Sequence, residues 1–559
     1  MSNNSTRFPW AIPLTGWLSQ RPTLAVNTLL ITVTLYLALT QNGALWHLVR
    51  SQLPDTLGPD DLRLIAALAM ILMAGNFTIL AVFSARPILK PALALLLVTS
   101  VACNHFMTRY GAVIDSHMLI NVMETNPREA SELISPTLLG QLLLWAALPM
   151  ALIWRLRITK RGAAGECARR VLWILALWAA AGLAVGLQYK EASIWLRTHS
   201  EIQKYPNPFY PVGSALKLAY RGVINQAFAT GFTVIGADAA ARAPLGRPRR
   251  VVLVVGETAR ADHFSLNGYP RETNPRLAAL TDLVNFPHVS SCGTATAMSV
   301  PCMFAQAGRT DFNRDAARET DNVLDVLQRA NVNVLWRDNN TGCQGTCARV
   351  ASEDLSQSDD PQHCHDGECV DEILLQRLDQ VLTRETGDQL IVLHQLGSHG
   401  PRYYRRYAPS FGRFGPECRR DDAFQCATEA LVNSYDNTLL YTDHVLGELV
   451  ALLEQHSASH DTAMIYVSDH GESLGEHGLF LHGFPYALAP KAQTEVPMMA
   501  WLDQPMQVAL NLDMECLAIK RQEAYAHDNL FSSLLGLFDV TTEVYQPDDD
   551  LFAGCRRPS

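Results

Sequence analysis

Charged residues are scarce in the first third of this 559-residue sequence, and that scarcity argues against an ordinary soluble protein. Five long apolar runs fill the region, at roughly 24–46, 64–83, 91–106, 136–154 and 171–189. A helix that crosses a bilayer needs about 20 residues, and four of the runs come near that length, whereas the third is shorter. Five such runs in succession favour a membrane domain over buried helices of a soluble core.

The first run also lacks a small-residue cleavage site, which favours a retained anchor over a signal peptide. We expect no nucleic-acid partner for this chain, in which 45 Lys and Arg stand against 55 Asp and Glu. Basic residues are concentrated in alternate loops, notably at Arg155, Arg157, Arg169 and Arg170 between the last two runs. The positive-inside rule then predicts a cytoplasmic N-terminus and an external location for everything after Tyr189.

Cysteine is nearly absent before residue 290, where only Cys103 and Cys167 occur. The remaining ten include four couples with short spacing, namely Cys292 with Cys302, Cys343 with Cys347, Cys364 with Cys369, and Cys418 with Cys426. An even count in an external compartment predicts disulfides, and it leaves Cys516 and Cys555 open to pairing with each other. A zinc–thiolate site around Cys364 is the alternative.

These patterns divide the chain into three parts. Residues 1–190 are predicted to be a membrane domain with five transmembrane helices, and residues 250–559 a soluble domain outside the membrane. Residues 191–249 between them are expected to form an interfacial or bridging segment and a linker. Their aromatic and basic residues fit either a helix on the membrane surface or one packed on the soluble domain.

From Val251 onward, short β-rich runs alternate with helix-length segments, a pattern typical of a parallel sheet covered on both faces. Polar residues that can bind a metal follow four of these runs. They are Glu257, then 337–340, then His394 and His399, and finally Asp469 and His470. Because the carboxyl ends of parallel strands meet at one edge of a sheet, we expect these side chains to converge there.

Glutamate, aspartate, histidine and a hydroxyl group together suit zinc better than manganese or magnesium. Between Cys292 and Cys302 the chain carries three hydroxyl residues, Thr294, Thr296 and Ser299. A disulfide across this segment would hold a hydroxyl rigidly, and a zinc ion would lower its pKa so that the oxygen can attack phosphorus. The residues alone leave open which of the three hydroxyls is the nucleophile.

Long motifs in this half resemble the lipid A phosphoethanolamine transferases, a family that includes the mobile colistin-resistance enzymes. The matching stretches are 254–260, 265–269, 292–304, 336–339, 397–401 and 468–476. The resemblance extends over essentially the whole chain. It implies five membrane helices followed by a periplasmic catalytic domain with the α/β fold of the alkaline phosphatase and sulfatase superfamily, a sandwich around a parallel sheet.

The resemblance implies roles for individual residues. Thr296 is similar to the threonine that carries phosphoethanolamine covalently, and it also corresponds to a ligand of one tightly bound zinc. The other ligands implied for that zinc are Glu257, Asp469 and His470. His394, His399 and His482 correspond to a group on the substrate side, for which a second zinc is the open alternative.

Three further residues are compared with substrate-binding positions of the family. Gln344 stands where relatives tend to have a lysine that faces the substrate phosphate, and glutamine keeps a hydrogen-bond donor but lacks the charge. Arg349 is the candidate to supply that charge instead. Asn104 and Thr108, near the outer end of the third run, correspond to residues that contact ethanolamine, with helix packing as the alternative.

The family implies a monomeric enzyme of the bacterial inner membrane that takes phosphoethanolamine from phosphatidylethanolamine and passes it to a phosphate of lipid A. The modified outer membrane carries less negative charge, which implies resistance to polymyxin and other cationic peptides. Three alternatives stay open: the same transfer to a core sugar or surface glycan, a membrane-tethered phosphodiesterase or sulfatase, and a non-catalytic membrane sensor.

Overall fold

The structure, a computed structural model, describes residues 21–125, 130–131, 133–159, 162–187, 195, 199–227, 231–241, 246–420 and 426–557. The chain folds into two compact units. One comprises Met1–Thr108 and Pro136–Ser214, and the other comprises Arg109–Ser135 and Ala215–Ser559. The segment between the third and fourth apolar runs thus folds with the C-terminal half. The predicted boundary between residues 190 and 191 lies outside the described part of the chain.

Long apolar helices build the first unit. Those long and apolar enough to cross a membrane are Pro59–Val82, Leu89–Tyr110, Pro136–Arg155 and Ala164–Gly186. Two shorter helices, Val26–Thr40 and Gly43–Ser51, are bent by 50° at their junction and together form a fifth candidate span. The third apolar run is long enough because its helix begins at Leu89 and continues through Asn104 and Thr108 to Tyr110.

A buried polar network lies among the helices of this unit. Asn207 donates from Nδ2 to the carbonyl oxygens of Ser100 at 2.7 Å and Gln41 at 2.8 Å. Asn42 exchanges hydrogen bonds with the Asn207 backbone, each 2.8 Å long. Polar groups in a membrane domain need partners within the protein, and the side-chain amide nitrogens of Asn42 and Asn207 find them in backbone carbonyl oxygens.

An eight-stranded sheet forms the centre of the second unit. In chain order its strands are β1 (Arg249–Gly256), β2 (Leu283–Ser290), β3 (Asn333–Asp338), β4 (Ala351–Asp354), β5 (Gln389–His394), β6 (Asp461–Ser468), β7 (Glu495–Leu502) and β8 (Tyr525–Ala526). Their order across the sheet is β8-β2-β7-β6-β1-β5-β3-β4.

The sheet is mixed, which refines the expectation of a parallel sheet. The neighbouring strands β6, β1, β5, β3 and β4 are parallel, and these include the strands that precede the predicted site residues. Strand β7 is antiparallel to both of its neighbours, β6 and β2. The loop 469–494 begins and ends at the carboxyl edge of β6, so β7 starts at that edge and runs back.

Both faces of the sheet are covered, as expected. Val251, Leu253 and Val255 of β1 join a core with the helices Val323–Arg329 and Asn529–Leu537. The alternate residues of β1 face a second core, which the 29-residue helix Thr428–His456 covers. This alternation reflects the two-residue period of a strand. The α/β sandwich predicted from the sequence is therefore confirmed.

Shorter elements complete the fold. The other α-helices within the described ranges are Ser116–Glu124, Phe209–Ala227, Pro275–Ala278, Thr296–Met303, Arg314–Arg318, Leu378–Arg384, Lys491–Thr494, Gln504–Ala509 and Met514–Lys520. The two-stranded pairs are Thr23–Leu24 with Arg157–Ile158, Ala240–Ala241 with Val540–Thr541, Cys364–His365 with Glu368–Cys369, and Ser473–Leu474 with Phe480–Leu481.

All four predicted disulfides are present in the second unit, and Cys516 also pairs with Cys555. The bond between Cys364 and Cys369 removes the thiolates on which the alternative zinc site depended. Cys103 and Cys167 are not disulfide-bonded.

Candidate active site and metal centre

The first two site residues come from the central parallel strands. Glu257 follows β1 and Asp469 follows β6, and the register pairs Gly256 with Ser468 at the ends of these strands. The Asp469 amide then donates to the Gly256 carbonyl oxygen at 2.9 Å, which holds the two chain segments side by side. Both side chains are almost completely buried, at 1% and 0% exposure.

His470 completes a cluster with these carboxylates, and the possible ligand atoms of the three residues all lie within 4.8 Å of one another. Its Nδ1 donates to the Gly471 carbonyl oxygen at 3.0 Å, so Nε2 carries the lone pair. That nitrogen lies 3.4 Å from Glu257 Oε1 and 3.3 Å from Asp469 Oδ2. Lone pairs of three residues therefore face one another.

The electrostatics of this cluster favour a bound cation. Burial lowers the pKa of His470 to about 3, which keeps its imidazole neutral. Burial and the charge of Asp469 raise the pKa of Glu257 well above its ordinary value. Asp469 Oδ2 is buried and accepts no hydrogen bond from any residue that the structure describes. A buried set of two carboxylates and a neutral imidazole fits zinc, which would relieve the repulsion between these groups.

Thr296 is the hydroxyl residue that reaches this cluster. It begins the helix Thr296–Met303, and its Oγ1 lies 3.0 Å from Glu257 Oε2 and 3.2 Å from His470 Nε2. The other two hydroxyls are engaged elsewhere, because Thr294 donates to the Phe484 carbonyl oxygen at 2.6 Å and Ser299 donates to that of Asp469. Of the three hydroxyls that the sequence left as alternatives, the geometry therefore favours that of Thr296 as the nucleophile.

Two of the three predicted substrate-side histidines lie near Thr296. His399 and His482 line one small cavity with Thr296, and their ring centres are 5.5 Å apart. The His482 ring centre also lies 4.4 Å from that of His470. His482 Nδ1 is 3.2 Å from Glu472 Oε2, so a buried carboxylate orients this imidazole.

His394 occupies a different position. It is completely buried, its Nδ1 lies 3.0 Å from Asp338 Oδ2, and its Nε2 is 3.3 Å from the Asn340 amide. Burial alone would lower the pKa of His394, but the carboxylates of Asp338, Asp469 and Asp371, with Asp338 first among them, together outweigh burial and raise it. His394 does not line the cavity with Thr296, and it supports Asn340 through Asp338, whose Oδ1 accepts from the Asn340 backbone amide.

Gln344 does line that cavity, as its predicted role requires. It lies inside the loop closed by Cys343 and Cys347, with a φ of 54°, and its Nε2 is 3.4 Å from Thr341 Oγ1. Arg349 is bound elsewhere, since it donates to the two Asp325 oxygens at 2.8 and 2.5 Å. Arg349 does not line the cavity, and a compensating charge from this residue stays a prediction.

Asn104 and Thr108 belong to the first unit and make hydrogen bonds within it. Asn104 Oδ1 accepts from the Gly43 amide at 3.1 Å, and Thr108 Oγ1 donates to the Asn104 carbonyl oxygen at 2.6 Å. Hydrogen bonds of this kind are expected if the two residues serve helix packing, which was the alternative to a role in substrate binding. A substrate contact by either residue stays a prediction.

Three further residues support the site. Glu472 and Asp371 had no role assigned from the sequence, and Asn340 was expected only to lie at the same edge of the sheet as the other polar residues. Asn340 donates to Glu257 Oε2 at 2.8 Å, and Glu472 orients His482. Asp371 accepts from the backbone amides of Leu396 and Gly397 at 2.8 and 2.9 Å, and so shapes the loop that leads to His399. Glu472 lies inside the matching stretch 468–476 and Asn340 directly follows the stretch 336–339, whereas nothing in the local sequence marks Asp371.

Known proteins provide an independent comparison. The sulfatase family model matches residues 249–540, and the model described as phosphoethanolamine transferase EptA/EptB matches residues 72–223. Phosphoethanolamine transferase EptA of Escherichia coli (strain K12) is 38% identical over 558 residues, which cover 97% of this chain and 99% of the relative. Phosphatidylethanolamine transferase Mcr-1 of Escherichia coli is 35% identical, with 94% of this chain and 96% of the relative covered.

A solved structure agrees with the sequence comparison. The integral membrane protein lipooligosaccharide phosphoethanolamine transferase A (EptA) from Neisseria meningitidis superposes with a TM-score of 0.92 at 34% identity. The match covers 96% of this chain and 100% of that one, and therefore includes both units. On full-length identity and fold together, the chain belongs to the lipid A phosphoethanolamine transferase family.

Proposed function

We propose that this protein transfers phosphoethanolamine from phosphatidylethanolamine to a phosphate of lipid A, through a covalent intermediate on Thr296. The observation that supports the intermediate most strongly is the position of Thr296 Oγ1, 3.0 Å from Glu257 Oε2 and 3.2 Å from His470 Nε2. The donor is the one that the name of the relative Mcr-1 indicates, and the acceptor is the one that the family name indicates.

The reaction has two displacements at phosphorus. In the first, the Thr296 oxygen bonds to phosphorus and the bond from phosphorus to the glycerol oxygen of diacylglycerol breaks. The Thr296 proton moves towards Glu257 Oε2, its hydrogen-bond acceptor, and the glycerol oxygen takes up a proton from the side of His399 and His482. In the second, a lipid A phosphate oxygen attacks phosphorus, and Thr296 leaves and regains its proton.

Glu257, Asp469, His470 and Thr296 would hold one zinc ion. When bound, zinc lowers the pKa of the threonine hydroxyl and offsets negative charge on the phosphoryl oxygens. The helix that begins at Thr296 adds its positive N-terminal end on the same side. For His399 and His482 we propose a role on the substrate side, with His394 positioned behind Asn340.

We propose that the first unit lies in the bacterial inner membrane with its N-terminus in the cytoplasm, and that the second unit works in the periplasm. The five disulfides of the second unit support an oxidising compartment. Modified lipid A carries less negative charge, so cells that express the protein resist polymyxin and other cationic peptides.

Lipid A mass spectra test the proposed function. Cells that express the wild-type protein should contain lipid A with added phosphoethanolamine, and cells that express Thr296→Ala should not. If lipid A is unmodified and a core sugar carries phosphoethanolamine, the acceptor is the core sugar and not lipid A. Continued release of diacylglycerol from phosphatidylethanolamine with no acceptor present would instead favour a hydrolase.

A further inference from the structure

The cavity in front of Thr296 has one wall that comes from the N-terminal part of the sequence. Asn121 and Thr125 line this cavity together with Thr296, Gln344, His399 and His482. Both belong to the segment 109–135, which in the sequence joins the helices Leu89–Tyr110 and Pro136–Arg155 but folds as part of the second unit. The proposed mechanism assigns no role to either residue.

The helix that carries Asn121, Ser116–Glu124, is firmly held beside the nucleophile. Asp115 caps its N-terminus, because Oδ1 accepts from the amides of His117 and Met118 at 2.9 Å each. The helix packs against the helix Thr296–Met303. The Met118 side chain packs so closely on Gly483 that a Cβ at position 483 would lie 2.9 Å from Met118 Cε. Asn121 is therefore held on a fixed element.

The two polar residues of this wall differ in what they can offer a ligand. Thr125 donates from both its amide nitrogen and its hydroxyl to the Asn121 carbonyl oxygen, at 2.8 Å each, and so closes the end of the helix. The side-chain amide of Asn121 makes no hydrogen bond to any residue that the structure describes. Its two N–H groups are thus free to bind a ligand in the cavity.

The chemistry of the lining indicates which group of the ligand Asn121 meets. The described lining contains Asn, Thr, Ala, Gln and His, with no Lys, Arg, Asp or Glu. An ammonium group would find no carboxylate on this lining, whereas the anionic oxygens of a phosphodiester find several N–H and O–H donors. Because position 344 is not a lysine, neutral hydrogen-bond donors must bind the phosphodiester oxygens in this cavity.

We infer that Asn121 is a substrate-binding residue whose side-chain amide donates to a phosphoryl oxygen of the phosphoethanolamine group. The inference rests on the proposed function, because that function supplies the ligand. It makes the loop between two membrane helices part of the substrate site.

The test uses the full-length, zinc-loaded protein in detergent and compares Asn121→Ala with Val122→Ala. Val122 is the next residue on the same helix, is 61% exposed, and does not line the cavity. Free phosphoethanolamine is the probe in calorimetric titrations, and diacylglycerol release gives KM and kcat for phosphatidylethanolamine. Asn121→Ala should weaken binding and raise KM by about tenfold, as expected for a lost hydrogen bond to a charged group, with kcat within about threefold. Val122→Ala should match the wild type, and Asn121→Gln should recover part of the binding.

Unchanged binding and KM in Asn121→Ala would overturn the inference. So would a loss of kcat and thermal stability with KM unchanged, which is the signature of a purely structural residue. Wild-type protein that binds phosphoethanolamine through Asn121 but releases no diacylglycerol would uphold the inference and overturn the proposed function.

Discussion

Asn340 donates from Nδ2 to Oε2 of Glu257 at 2.8 Å, and its second amide hydrogen reaches the Gln395 carbonyl oxygen, also at 2.8 Å. The amide is thereby fixed, and it fixes the carboxylate in turn. Asp338 Oδ1 accepts from the Asn340 backbone amide at 2.8 Å, and Oδ2 of the same carboxylate faces His394. A chain of buried hydrogen bonds therefore extends from His394 and Asp338 through Asn340 to the proposed zinc ligand.

Asn340→Ala should lower zinc affinity and transfer activity by about 10- to 100-fold, because partners that orient a metal ligand have effects of that size. Competition with a chromophoric chelator measures the affinity. Asn333→Ala, which makes the same substitution at an exposed strand end, is the matched control. Equal zinc affinity in Asn340→Ala and the wild type would refute the orienting role.

Removing the Cys292–Cys302 disulfide should reduce activity more than its effect on stability explains. Its loop spans 10 residues, and chain entropy gives about 3 kcal/mol of stabilisation, against about 4 kcal/mol for the 39-residue loop of Cys516–Cys555. The double alanine variant of the first pair should lose more kcat, while that of the second pair should lose more thermal stability. Equal kcat in the two variants would contradict a positioning role for the first disulfide.

The His394–Asp338 pair predicts a pH-dependent contribution to stability. Burial would lower the pKa of His394, but Asp338 helps to raise it. Burial would raise the pKa of Asp338, but His394 and the hydrogen bond from Trp336 help to lower it. The pair therefore stabilises the folded protein fully at any pH between the ordinary pKa values of the two groups, about 3.9 for aspartate and about 6.5 for histidine. It is lost as the pH rises through the raised pKa of His394, or falls through the lowered pKa of Asp338.

Asp338→Asn should thus lower the free energy of unfolding by roughly 3 kcal/mol near pH 6 and by clearly less near pH 9. Thermal unfolding across this pH range measures the difference, with Asp359→Asn at an exposed position as the control. A stability difference that stays constant with pH would show that the pair is not charged in the folded protein.

Gln344→Lys should lower KM for phosphatidylethanolamine roughly fivefold, because a new positive charge near the substrate phosphate contributes about 1 kcal/mol. The gain should shrink in high salt. Gln328→Lys adds the same charge at an exposed position on the helix Val323–Arg329, outside the cavity lining, and should leave KM unchanged. If both lysine variants behave alike, Gln344 does not face the phosphate.

The sequence predicted those features that follow from one local rule. Glu257, Asp469 and His470 each follow a β-rich run, and the carboxyl ends of parallel neighbours meet at one edge, so their convergence could be anticipated. The four close cysteine couples were predictable for a similar reason, since short loops and an external compartment favour pairing.

Features set by distant packing could not be predicted in this way. Nothing in the residues of Ser116–Glu124 shows that this helix folds with the C-terminal half and brings Asn121 to the cavity. His394 ends a strand just as the other site residues do, but its neighbour Asp338 on β3 binds it away from the cavity. Asp371 supports the loop before His399 from a short helical turn that carries no motif.

The central claim is that Thr296 carries phosphoethanolamine, and peptide mass spectrometry of purified protein incubated with labelled phosphatidylethanolamine tests it most directly. We predict a labelled phosphoethanolamine adduct on Thr296 in the peptide that spans residues 292–302. Thr296→Ala should abolish the adduct, and added lipid A should discharge it from the wild type. An active wild-type enzyme with no adduct on that peptide, or with the adduct on another residue, would contradict the account.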